Sequence, residues 1–144
     1  MALLTRKGLL AIAAVIDVAL HGKGRPVSAK ALAARHSLPA RHLEPVLQAL
    51  VRMGILRGIL RGIRGPRGGY ELARERRRIT ADDILRAAST IEEVGDPPAA
   101  GSALLRDVVI PAIGQAERAF SIALSRISLD ELVRKAEPLR DATT

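Results

Sequence analysis

The chain has 144 residues, 48% hydrophobic but only 1% aromatic, with no cysteine and a net charge of +8. That length suits one domain or a small domain with an extension, whose core Leu, Ile, Val and Ala must fill. The missing cysteines exclude a disulfide framework, a thiolate metal site and a cysteine nucleophile, and they accord with a reducing cytoplasm, where the chain is expected to act. The charge is unevenly placed: residues 1–90 hold 17 Lys and Arg against 6 Asp and Glu, and residues 91–144 hold 6 against 9. A basic part joined to a mildly acidic one points to a polyanion-binding module that carries a second module.

A first helix is expected from about Arg6 to His21, with Thr5 as its N-cap and Gly22 as its stop. Leu9, Ile12, Ala13, Ile16, Ala19 and Leu20 recur at helical spacing and are expected to face the core. The apolar run from Leu9 to Leu20 is too short for a bilayer and is interrupted by Asp17. It reads as a buried helix and not a signal peptide, and no membrane partner is expected. After a Gly/Pro loop, Ser28 caps an alanine-rich second helix that reaches His36, and Ser37-Leu38-Pro39 breaks the pattern. A third helix follows from about Ala40. Leu43, Val46, Leu47 and Leu50 line one face, and Arg41, Glu44, Gln48 and Arg52 line the other. A short capped helix, a brief turn and a helix with a polar outer face form a helix-turn-helix pattern. Pro45 is expected either to kink this helix or to delay its regular part to about Leu43.

Gly54-Ile55-Leu56-Arg57 is repeated at once as Gly58-Ile59-Leu60-Arg61. A lengthened hairpin arm is the preferred reading, because four extra strand residues keep every side chain on its face. Glycine inside a helix costs about 1 kcal/mol against alanine. Arg64-Gly65-Pro66-Arg67-Gly68-Gly69 then reads as a turn and Tyr70-Glu71-Leu72 as the returning strand, a wing with cations at its tip. Arg74, Arg76, Arg77 and Arg78 form a basic connector. Thr80 to Asp83 resembles a capping box opening a helix to about Thr90, and residues 92–101 form a loop. The tail repeats Leu105, Val108, Val109, Ala112, Ile113, Ala116, Ala119, Phe120, Ala123, Leu124 and Ile127 by threes and fours, with a bend expected at Pro111. Little of the chain is left to cover that stripe, so a partner helix is expected on Val109, Ile113, Ala116, Phe120, Ala123 and Leu124. Ser128 to Glu131 resembles a second capping box, opening a short final helix.

The expected architecture is mainly α with a small β-hairpin wing. Residues 1–90 form a winged helix-turn-helix domain, 91–101 a loop, and 102–144 a helical dimerisation region. The expected partner is a double-stranded DNA operator. Arg64 and Arg67 would enter the minor groove, whose negative potential attracts arginine. Arg41, His42, Glu44 and Gln48 would meet base edges or phosphates in the major groove, and Ser28 and Lys30 would meet phosphates. The plainer alternatives are a solvated turn for the tip and, for Glu44, an ion pair with a neighbouring arginine. A basic RNA- or ribosome-associated module has only Tyr70 and Phe120 for base stacking, and a protein-interaction scaffold leaves the basic half without a role. The histidines His21, His36 and His42 have no metal-site spacing, and no phosphate-loop lysine or nucleophile with a base is evident, so no enzyme and no cofactor are expected.

Leu4-Thr5-x-Lys7-Gly8, Ala19-Leu20, His42-Leu43-Glu44, Arg64-Gly65-Pro66-x-Gly68-Gly69-Tyr70 and Ile127 to Val133 together resemble the IscR/NsrR/CymR-like winged helix-turn-helix regulators, over nearly the whole chain. The resemblance implies a dimeric transcription factor, usually a repressor, with a long helix crossing to the partner subunit. It also implies that Glu44 and Arg64 match positions used in DNA readout. Many members carry three cysteines, holding an iron–sulfur cluster, in the loop matching Glu92 to Gly101. This chain has none there, so it resembles a clusterless member answering to a small molecule or a protein effector. The duplicated Gly-Ile-Leu-Arg is a second departure, which moves the wing tip outward.

Overall fold

The computed structural model describes residues 5–22, 25–59, 68–91 and 102–140. α1 spans Arg6–His21, α2 Ala29–Arg35 and α3 Ala40–Arg52. The strands β1 (Leu56–Ile59) and β2 (Gly69–Leu72) form an antiparallel hairpin in the register Leu56↔Leu72 to Ile59↔Gly69. A 3-10 turn at Arg76–Arg78 leads into α4 (Ala81–Ser89). A π turn at Leu105–Val109 opens α5 (Ile110–Ser125), and α6 covers Leu129–Arg140. The architecture is a winged helix-turn-helix with a long helix after it, as expected. Among the described residues no helix is long and apolar enough to cross a membrane.

The expected boundaries of α1 hold, with Thr5 Oγ1 accepting the Gly8 N–H at 2.9 Å. Its buried face does not. Gly8, Ala11, Ala14, Val15 and Val18 face the core, Leu9 is 54% exposed, and Ile12, Ile16, Ala19 and Leu20 only flank the core. The helix is apolar almost all round, so periodicity alone does not select a face. α3, α4, α6 and β2 pack around it. Gly8 fits because an added Cβ there would lie 2.6 Å from a Leu85 methyl.

Asp17 also departs from the expected pattern of polar residues outside. It is 6% exposed, and Arg35 Nε donates to its two oxygens at 2.9 and 3.1 Å and Arg35 Nη2 to Oδ1 at 2.5 Å. His36 Nε2 lies 3.1 Å from Oδ2. A buried carboxylate needs such partners. Because they end α2, the pairing clamps the helix-turn-helix onto α1. The turn itself closes with Leu38 N–H on Ala33 O and Ser37 N–H on Ala34 O, and Ser37 takes φ +53°, a position usually held by glycine.

α3 starts at Ala40 and runs unbroken through Pro45, so its regular part is not delayed to Leu43. Proline in a helix interior costs about 3 kcal/mol. Leu43, Val46, Leu47 and Leu50 are essentially fully buried, at about 2 kcal/mol each, so the packed face outweighs the proline. α3 ends in a Schellman motif: Gly54 at φ +74° donates to Val51 O, and Ile55 donates to Leu50 O. The two copies of the tetrapeptide therefore start differently. Gly54 ends a helix, while Gly58 and Ile59 lie in β1 opposite Tyr70 and Gly69; Leu60 and Arg61, and with them the length of the arm, lie outside the described residues.

Thr80 and Asp83 form the complete capping box. Just before Pro111 the helix is widened to a π turn, with Ile110 N–H on Leu105 O. α6, placed with the tail in the sequence reading, returns to the N-terminal core, with Leu129 and Val133 buried in the same cluster as α1 and α3. Replacing Asp17 by alanine is expected to lower stability by about 3 kcal/mol, read from urea unfolding at neutral pH. Asp17→Asn, which keeps an acceptor for Arg35, should lose less.

Candidate nucleic-acid interface

α2 and α3 meet at the turn Ser37-Leu38-Pro39 and pack on each other through Leu32 and the buried side of α3. Burying that side forces Arg41, His42, Glu44 and Gln48 outward, and all four are exposed. Among the described residues none of their side chains makes a hydrogen bond or an ion pair, so Glu44 is not held by a neighbouring arginine. The face thus carries two basic-type side chains, one acid and one amide, all free to meet a partner. Ser28 caps α2, its Oγ accepting the Ala31 N–H at 3.0 Å. That bond occupies an acceptor site and leaves the hydroxyl hydrogen to donate. Lys30, in the first turn of α2, is exposed and unpaired among the described residues.

The hairpin stands beside this pair because a third strand-like segment grips it. Val27 and Tyr70 exchange both backbone bonds, Val27 N–H on Tyr70 O at 2.9 Å and Tyr70 N–H on Val27 O at 2.8 Å. Gly69 permits the approach: a Cβ there would lie 2.6 Å from the Val27 carbonyl carbon and oxygen. Arg57 and Glu71, a cross-strand pair, bond at 2.9 Å. So the residue just before the α2 cap is bonded to the returning strand, and wing and helix-turn-helix share one frame. In the sequence Val27 showed only as an apolar residue outside a cap, and its role as a strand partner carried no local signal. The tip residues Arg64 and Arg67 lie outside the described residues.

Later in the chain, α5 has no buried residue. Val109, Ile113, Ala116 and Ala123 are exposed, and Phe120 and Leu124 are half-buried. α5 is fastened to α4 by Ser121, whose hydroxyl donates to Asp82 Oδ1 at 2.5 Å while Arg86 holds the other oxygen at 2.9 Å. The described residues contain no group of three or more His, Cys, Asp and Glu placed to hold a metal.

The family model for Rrf2, described as an iron-dependent transcriptional regulator, matches residues 4–135. The HTH-type transcriptional regulator IscR of Xenorhabdus nematophila is 32% identical over 146 residues, covering 94% of this chain and 82% of that protein. Among solved structures, T. potens IscR superposes with a TM-score of 0.65 at 28% identity, over 95% of this chain and 90% of that one. CymR, the global cysteine regulator of B. subtilis, gives a TM-score of 0.65 at 24% identity over 94% and 98%, a likeness of fold. Gly69→Ala is expected to destabilise the protein by about 2 kcal/mol by overpacking at Val27, measured by thermal and urea unfolding. Gln48→Ala, on the open face of α3, should stay within about 0.5 kcal/mol of the parent.

Proposed function

The chain belongs to the Rrf2 family of transcriptional regulators, and we propose that it works as a homodimeric DNA-binding repressor of the cytoplasm without an iron–sulfur cluster. The family is one of regulators, not enzymes. The observation that carries the reading is the outer face of α3, where Arg41, His42, Glu44 and Gln48 are exposed and unpaired above a fully buried apolar face. In the proposed complex that face enters the major groove, where arginine pairs best with guanine and a carboxylate accepts from cytosine N4. Ser28, Lys30 and Arg41 position phosphates. Arg64 and Arg67, at the wing tip, enter the adjacent minor groove. Repression follows from a clamp that covers two grooves of one duplex and excludes other proteins from it.

The uncovered apolar stripe of α5 supports pairing with a second copy through Val109, Ile113, Ala116, Phe120, Ala123 and Leu124. A symmetric pair of readers matches a pseudo-palindromic operator. The family description names iron, but the donor set here does not fit a thiolate-held cluster, since the chain has no cysteine and no histidine beyond His42. The signal we propose instead is a small molecule or a protein effector.

Footprinting on a duplex selected from random sequence tests the reading. Arg64→Ala should weaken specific binding by about 1–3 kcal/mol and leave the dimer intact; unchanged affinity overturns the minor-groove role. Ile113→Asp should shift the protein to monomer in sedimentation velocity and cost most of the operator affinity, because a charge on that stripe has no partner when buried.

A further inference from the structure

We propose that the 3-10 turn at Arg76–Arg78 is a docking surface for an acidic, carboxylate-rich segment of a partner protein, on the side of the molecule away from the operator. The inference rests on the reading of α3 and the wing tip as the DNA contacts. Residues 74–78 read Arg-Glu-Arg-Arg-Arg. With Arg134, Asp130 and Asp83, which meet this segment, five arginines face three acids, a net of +2. Arg77 and Arg78 are exposed, and among the described residues neither makes a hydrogen bond or ion pair through its side chain. Glu75 is exposed beside them; its carbonyl accepts the Arg78 N–H at 2.8 Å, and its side chain bonds to neither.

An ordinary solvated charge run is mobile, whereas this turn is pinned on several sides. Arg76 Nε donates to Asp130 Oδ1 at 2.7 Å, and Asp130, 7% exposed, also takes Arg134 Nη2 at 2.6 Å. Ile79, directly after the turn, is fully buried, and its carbonyl accepts the Leu129 N–H at 2.7 Å. The Ala81 N–H reaches Ile127 O at 2.9 Å. Two free guanidinium forks are thus carried on a backbone already ordered, which lowers the entropic cost of docking. Their planar donor geometry matches carboxylates held side by side.

The position separates this patch from the operator. Arg74 Nε donates to Gly54 O at 3.2 Å, and Leu72 pairs with Leu56, so the turn follows strand ends that lie at the C-terminal end of α3. Arg41 is a further eleven residues back along that helix, about 16 Å at 1.5 Å per residue. In the proposed complex the duplex lies on the outer face of α3 between Arg41 and Gln48, while the turn lies past the last residue of that helix, against α6, which leaves the arginine turn open while DNA is bound. A regulator seated on DNA can in this way present a cationic face to an acidic protein.

The test is a fluorescence-anisotropy titration of a short labelled Glu/Asp-rich peptide into the full chain saturated with its selected duplex, at physiological salt. The peptide should bind the complex, and Arg77→Glu with Arg78→Glu should weaken it by roughly tenfold. The double variant should keep duplex affinity within about twofold and the same salt slope. Absence of peptide binding, or equal binding by parent and variant, overturns the proposal. So does a fall in duplex affinity with a salt slope shallower by about two, which makes the turn a DNA phosphate contact. Repeating the titration on DNA-free protein separates the two readings: if Arg64→Ala leaves duplex binding unchanged, the DNA assignment fails, while the peptide result still reports on the turn.

Discussion

Asp17 is the charge around which the helix-turn-helix is set. An ionised carboxylate inside an apolar core is costly unless it is paired and hydrogen-bonded. Here the partners come from the end of α2, where Arg35 takes both oxygens and His36 closes the third side. Satisfying that one group fixes how α2 lies on α1 and therefore where the turn to α3 begins. α3 then has no freedom of rotation, because Leu43, Val46, Leu47 and Leu50 must all be buried at once. The outward direction of Arg41, Glu44 and Gln48 follows from packing and from the clamp, and no contact of their own is needed to hold them.

The same device recurs at the two other buried acids. Asp82 joins α4 to α5 through Ser121, and Asp130 joins α6 to the arginine turn through Arg76. A core built from Leu, Ile, Val and Ala, without the shape of aromatic rings, packs in several arrangements of similar energy. Each buried carboxylate with a partner on another element disfavours the arrangements that would strand a charge. The three pairs therefore add selection among packings more than they add net stability, since a desolvated ion pair is near neutral against an apolar replacement.

Much of this was legible in the residues. The ends of α1, the cap at Ser28, the turn at Ser37, the buried face of α3 and the box at Thr80 are local chemistry, and each appears where its pattern stands. What was not legible is long-range. α1 is apolar on nearly every side, so its period fitted two faces, and Asp17 read as an interruption because Arg35 lies eighteen residues away. Pro45 pointed to a kink or a late start because the depth of burial beneath it does not show in a string of letters. The Val27–Tyr70 pairing spans more than forty residues and leaves one valine as its only trace. The stripe on α5 was visible as a pattern, and its lack of cover within the chain shows in the structure as exposed Val109 and Ile113.

These constraints divide the surface by task. Four acids are engaged with cations: Asp17, Glu71, Asp82 and Asp130 each hold an arginine. The cations of α2 and α3 at Lys30 and Arg41 have no such partner among the described residues. Had the pairing been the reverse, a polyanion would have to break ion pairs before binding. Because the buried acids pair at element junctions and the free charges lie on the outer faces, substitutions at Glu44 or Gln48 would, in the proposed complex, change the contacts to DNA with little effect on folding. α5 adds the remaining constraint. It is bonded to α4 through Asp82 and followed by α6, which returns to the core, so a second copy seated on α5 would be held at a set angle to both reading helices. In the proposed dimer the distance between the two α3 helices, and with it the spacing of the operator half-sites, would be set by that junction and not by the DNA.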